Sequence, residues 1–202
     1  YRKAHISEIN YELEFRIPEN PKQEIQALEL LTFQLDAVEQ SLQLDFRESE
    51  DKLKGIVVNG KTHEIKLINE HIEIDQAFLK EGENTIEINF FAGETSLNRK
   101  EEFLYTLFVP DRARTAFPCF DQPNLKATYD LTLNVPNSWT AIANAPIKRM
   151  AASEGRKNIQ YHTSDLISTY LFSFVAGKFE TISRTIEGRE MTMIHRETDD
   201  EK

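Results

Sequence analysis

The segment YELEFRI at 11–17 sets apolar Tyr11, Leu13, Phe15 and Ile17 against polar Glu12, Glu14 and Arg16. A period of two puts each set on its own face of an extended strand, one toward a core and one toward water. SLQLDFR at 41–47 repeats the pattern with Leu42, Leu44 and Phe46. The same reading predicts strands at 55–59, 62–67, 71–74, 84–91, 127–135, 140–144, 158–163, 170–177, 179–185 and 190–196. Turn residues punctuate them, including Asn59-Gly60, Asn69-Glu70, Pro136-Asn137, Glu154-Gly155 and Glu187-Gly188. Helix is predicted for about one turn each in QAFLKE at 76–81 and DRART at 111–115. EIQALELLTFQL at 24–35 fits either period, and its strand neighbours decide for a strand. The expected fold is all-β, with antiparallel hairpins in a sandwich or a large open sheet. No fixed-period repeat or low-complexity linker divides the chain, so residues 1–202 are read as a single β domain. One weak boundary candidate is the polar run AGETSLNRKEEF at 92–103.

Composition narrows the function classes. Hydrophobic content of 40% with 29% charged residues belongs to a globular chain. No stretch approaches the ~18 apolar residues of a membrane-spanning helix. The 24 basic and 34 acidic residues give a net charge of −10, and the basic ones are scattered. Nucleic acid is therefore not expected as a partner, because phosphate binding draws on clustered Lys and Arg. A single cysteine excludes an internal disulfide and a thiolate zinc cluster. The compartment is left open between the periplasm or cell envelope, the preferred reading, and the cytoplasm. A start at Tyr1 and an end at TDDEK read as a piece cut from a longer chain.

The search for chemistry is mostly negative. His63 opens HEIKL, which resembles the start of H-E-x-x-H, but Leu67 holds the place of the second histidine. That motif also needs two imidazoles one helical turn apart, and THEIKL alternates as a strand, so His63 is read as a solvated strand histidine. Cys119 would need a neighbouring imidazole and a lowered pKa to act as a nucleophile, and it reads instead as a small buried hydrophobe. A nucleophile elbow, a P-loop and a dinucleotide fingerprint are absent. The carboxylate pairs Glu50-Asp51, Glu101-Glu102 and Asp199-Asp200 lie in polar runs that fit solvated loops. No catalytic or metal-binding residue is assigned.

One stretch carries more. From Tyr105 to Pro136 the chain reads YTLFVPDRARTAFPCFDQPNLKATYDLTLNVP. It resembles the signature of the amino-terminal domain of M1-family zinc aminopeptidases, commonly T-Q-F-E-P-x-x-A-R-x-x-F-P-C-F-D-E-P-x-x-K-A-x-F. Thr106, Phe108, Pro110, Ala113, Arg114, Phe117, Pro118, Cys119, Phe120, Asp121, Pro123, Lys126 and Ala127 match it. WTAIANAPI at 139–147 and STYLFSFVAGKFE at 168–180 resemble the family's following strands. Resemblance is strong over 105–180 and only architectural over 1–100.

The resemblance implies a saddle-shaped antiparallel β domain, non-catalytic, packed in the parent enzyme against a thermolysin-like catalytic domain of the same polypeptide. Zinc, its ligands and the peptide-cleaving chemistry would lie in that domain, and this chain would form one wall of the cleft for peptide substrates. Tyr105, Leu107 and Val109 would face the cleft. The family's Gln and Glu, which help hold the substrate's amino end, are replaced by Leu107 and Val109, and a valine accepts no hydrogen bond from an ammonium group. Gln122 stands where the family has Glu. The loss of those acceptors motivates an alternative, a catalytically inactive scaffold or binding module of the same architecture. A third reading is an unrelated sandwich that binds carbohydrate or protein. In FPCFDQP, Pro118 and Pro123 stiffen the loop. Phe117 and Phe120 are expected to plug the core, with Asp121 free to accept from turn amides or to pair with Arg114.

Overall fold

The computed structural model describes residues 1–196; the terminal TDDEK and the pair Asp199-Asp200 lie outside the described residues. The strands are β1 (Ile6–Arg16), β2 (Gln26–Leu35), β3 (Leu42–Asp45), β4 (Leu53–Val58), β5 (Lys61–His63), β6 (Leu67–Ile68), β7 (His71–Ile74), β8 (Gly82–Phe91) and β9 (Phe103–Tyr105). The second half adds β10 (Ala127–Pro136), β11 (Thr140–Ala143), β12 (Ile147–Ser153), β13 (Arg156–Tyr161), β14 (Phe174–Gly177), β15 (Glu180–Ile186) and β16 (Arg189–His195). Eight of them form one sheet in the order β12-β13-β10-β1-β2-β8-β4-β5. Two three-stranded sheets, β11-β14-β9 and β3-β7-β6, and the hairpin β15-β16 complete the fold, which is all-β and sandwich-like. None of the described helices is long and apolar enough to cross a membrane.

Alternation builds the core. Tyr11, Leu13 and Phe15 of β1 and Ile17 beyond it are buried while Glu12, Glu14 and Arg16 face solvent. Burying each large apolar side chain contributes about 2 kcal/mol. The apolar face of the large sheet is covered in three places: Phe15 packs on Phe174 of β14, Tyr11 and Phe33 pack on Phe117 and Phe120, and Phe90 packs on Phe46. The ambiguous segment at 24–35 is strand β2, its double signal arising because Leu28 and Leu30 face outward and Glu29 inward. The hairpins close through two-residue turns with positive φ at both positions, such as Asn59-Gly60 at 50° and 76° and Glu187-Gly188 at 51° and 78°. That geometry matches the right-handed twist of the strands.

Several expectations need correction. β1 and β10 pair in parallel, Ile9 opposite Ala127 through Arg16 opposite Asn134, so the large sheet is mixed. The predicted strand at 62–67 is two: after His63 the chain leaves β4 and joins β7 in another sheet. His63 is not solvated. It is buried, its Nδ1 2.6 Å from the Glu64 carbonyl and its Nε2 accepting from the Asp75 N–H at 3.1 Å. The predicted strand at 170–177 starts only at Phe174, because Thr169–Leu171 form a 3-10 turn. Asn144 holds that turn, donating to the Leu171 carbonyl and accepting from the Ser173 N–H. Strands β9 and β12 and the one-turn helix Arg2–His5 were not expected from the pattern. The run at 92–103 does not hang free between two halves. Leu97 and Ser96 are buried, and the Arg99 guanidinium donates to the carbonyls of Pro18, Asn20 and Gln23.

Candidate functional site

The FPCFDQP loop is fastened on every side. Phe117, Cys119 and Phe120 are fully buried. Cys119 makes an antiparallel bridge with Asp45 at the end of β3, its N–H donating to the Asp45 carbonyl at 3.0 Å and its carbonyl accepting at 2.8 Å. The Asp45 carboxylate then accepts from the Asp121 N–H at 2.8 Å and from Arg2 at 2.8 Å, with His71 Nδ1 at 2.9 Å. The Phe120 N–H donates to the Tyr11 hydroxyl at 2.9 Å. Tyr11 in turn stacks on Tyr129 and Tyr129 on Phe172, so a column of rings ties β1, β10 and the 168–172 segment to the loop.

Asp121 reaches further along the chain. Its Oδ2 accepts from the backbone N–H of Arg114 at 3.2 Å and its Oδ1 from the Thr169 hydroxyl at 2.6 Å. The Arg114 guanidinium pairs with Asp111 at 3.0 Å instead. Of the two roles expected for Asp121, the acceptor of turn amides is the one present, and the side-chain pair with Arg114 is not. Partial burial raises the Asp121 pKa, with the Thr169 and Arg114 hydrogen bonds opposing that shift. Gln122 keeps its amide oxygen buried without a partner, and Pro123 is exposed with its carbonyl accepting from Ser168 at 2.6 Å.

Burial drives the Cys119 thiol far above its ordinary pKa, and the charges of Asp121, Asp45 and Glu29 push the same way. A thiol that resists ionisation is a poor nucleophile. The loop's bridge and ring contacts make it a brace joining β1, β3, β10 and the 168–172 segment.

What the brace supports is the strand before it. β9 pairs with β14, Tyr105 opposite Val175, and the chain continues extended through Thr106, whose hydroxyl accepts from the Phe174 N–H at 3.0 Å. The Leu107 N–H donates to the Ser96 carbonyl at 2.9 Å. Phe108 turns inward against Phe117 and Phe172. Its neighbours turn outward: Tyr105 is 44%, Leu107 50% and Val109 51% exposed. The three residues read from sequence as cleft-facing are each about half exposed along one segment, with Phe108 packed inward between Leu107 and Val109. Val109-Pro110 is a cis peptide.

Asp45, Tyr11 and Thr169 were missed as parts of the loop's support. Nothing local signals them: Asp45 lies 76 residues from Asp121 and Tyr11 lies 109 from Phe120. Among the described residues no three His, Cys, Asp or Glu side chains come together in a way that could hold a metal ion.

The family model for the peptidase M1 N-terminal domain matches residues 8–171. The puromycin-sensitive aminopeptidase of Caenorhabditis elegans is 34% identical over 171 residues, which is 83% of this chain and 17% of that protein. The tricorn protease-interacting factor F2 of Thermoplasma volcanium is 35% identical over 98 residues, 48% of this chain and 12% of that protein. A membrane alanyl aminopeptidase of Manduca sexta is 40% identical over 80 residues, 39% of this chain and 8% of that protein. The chain thus spans less than a fifth of the length of these relatives. With the match extending over both the large sheet and the braced loop, the chain belongs to the peptidase M1 N-terminal domain family.

Proposed function

We propose that residues 1–202 are a single non-catalytic β domain at the front of a zinc-dependent aminopeptidase, where they form one wall of the peptide cleft. The family implies zinc in the complete enzyme. The zinc, the catalytic domain and the peptide substrates would be partners of this domain within or at the same polypeptide. The observation that carries the reading is the exposed row Tyr105, Leu107 and Val109 held rigid by Phe108 and the loop. Three large apolar side chains half in water, on a segment fixed by packing, fit a surface that another body or a ligand covers. Leu107 and Val109 would offer the peptide's amino end apolar contact only, leaving its ammonium to acceptors elsewhere in the enzyme.

The test is direct. This chain, supplied with zinc and an aminoacyl chromogenic substrate, is expected to release no product above buffer. Turnover that scales with protein and stops on chelation would sink the non-catalytic reading. Lack of an amine acceptor at Leu107 and Val109 favours a second reading, an inactive M1-like scaffold. The two separate on whether the complete protein carries H-E-x-x-H, the spacing that puts two imidazoles on one helix face.

A further inference from the structure

The large sheet has one carboxylate on its apolar side. Glu29 lies in β2 opposite Leu13 of β1 and Ile88 of β8, and its side chain shares the inner face with Ala27 and Leu31. It is 3% exposed, and neither carboxyl oxygen has a hydrogen-bond partner. The titratable groups whose ionisation its charge would disfavour are Tyr11 from β1, Tyr129 from β10 and Cys119 from the FPCFDQP loop. β8 presents Asn84, Ile86, Ile88 and Phe90 on that side, none of them titratable. No cation contributes to the state of Glu29, and burial alone raises its pKa well above the ordinary range. The Tyr129 hydroxyl is likewise buried without a partner. A carboxylate with neither water nor a counter-charge is far costlier to bury than the neutral acid.

We propose that Glu29 is a pH-sensitive latch beneath the FPCFDQP loop. While it is neutral, Tyr11, Tyr129 and Cys119 close over it; once ionised, it reaches water only if that layer opens, so alkali unseats the loop. In an open state the carboxyl titrates near its ordinary value of about 4.3. In the closed state it titrates higher, so between the two values the closed form holds one more proton. The stabilisation of the closed form is complete below the ordinary value and is lost as pH rises toward the raised one, about tenfold in the closed-to-open ratio per pH unit. Tyr11, Tyr129 and Cys119 do not oppose this, because each has its own pKa raised by burial and stays neutral through the window. Asp121 also has a raised pKa, but its contribution is common to the unmodified chain and to any Glu29 variant.

Cys119 is the only cysteine, so an aromatic disulfide reagent reports the opening of this layer alone. The measurement is the labelling rate of the unmodified chain divided by that of Glu29→Gln, from pH 6 to pH 8.5, in which the thiolate fraction cancels. The expected ratio climbs with pH by up to about tenfold per unit, in Glu29→Leu as well, while buried Trp139 keeps its native emission. A ratio that stays flat, or labelling that merely follows loss of native Trp139 emission, overturns the latch. Should neither variant fold, the unmodified chain suffices. The thiolate alone gives a log-rate slope against pH of at most about one, so a slope above one is expected over part of the range, and a slope that nowhere exceeds one overturns the latch.

Discussion

Asp121 illustrates how a motif residue works when its partners are scattered in sequence. It joins the Arg114 amide on one side to the Thr169 hydroxyl on the other, and Asp45 catches its own N–H. Asp121→Ala strands two donors and should lower unfolding stability by about 1–2 kcal/mol, with Asp121→Asn losing less because a carbonyl acceptor remains. Asp45 is more deeply buried, so Asp45→Ala should cost about 2–3 kcal/mol. Denaturant unfolding of both series checks this, and Asp45→Ala equal to the unmodified chain would show that the loop is held some other way. The burial of Phe117, Cys119 and Phe120 was legible because two aromatic rings and a lone thiol in a loop stiffened by Pro118 and Pro123 have few places to go but the core. The identity of the clasp was not, since Asp45 sits in SLQLDFR at a position that alternation assigns to solvent and is buried only because the loop covers it.

Elements were legible where one face meets water and the other the core, as in β1, β8 and β10. They were misread where the chain changes sheets. The stretch THEIKL keeps its alternation while its hydrogen bonds pass from β4 to β7, and a pattern of side chains carries no record of that. β12 escaped notice because it is an exposed edge strand with no buried face to reveal a period. The segment after β8 shows how tightly an irregular element can be placed. A Cβ on Gly93 would lie 2.1 Å from the Thr115 carbonyl oxygen and 2.2 Å from Glu48 Oε1. Gly93→Ala must therefore push the 92–103 loop away from the 113–117 turn, at a cost of about 1–3 kcal/mol. Thermal unfolding is the check: an unchanged midpoint would mean that the approach is looser than described. Gly55, with open space around it and no positive φ, provides the comparison.

At the scale of the molecule, the parallel pairing of β1 with β10 brings the first strand-rich half against the second and sets Tyr11 under the FPCFDQP loop. No local signal announces a pairing across that length of chain, so all-β was readable while the strand order was not. Periodicity does not group Tyr105, Leu107 and Val109; only the resemblance to the family signature proposes them as one surface, and all three are exposed. Because Val109 is half exposed, a charge there should leave folding stability within about 0.5 kcal/mol. In a complete peptidase it would stand beside the positive amino end of the substrate. Two like charges about 6 Å apart repel by about 2–3 kcal/mol at an effective dielectric constant near 20. The most direct measurement is the kinetics of Val109→Arg in the complete enzyme. The cleft-wall account predicts KM for aminoacyl substrates raised at least about tenfold with the thermal midpoint unchanged, whereas kcat and KM both equal to the unmodified enzyme would contradict it.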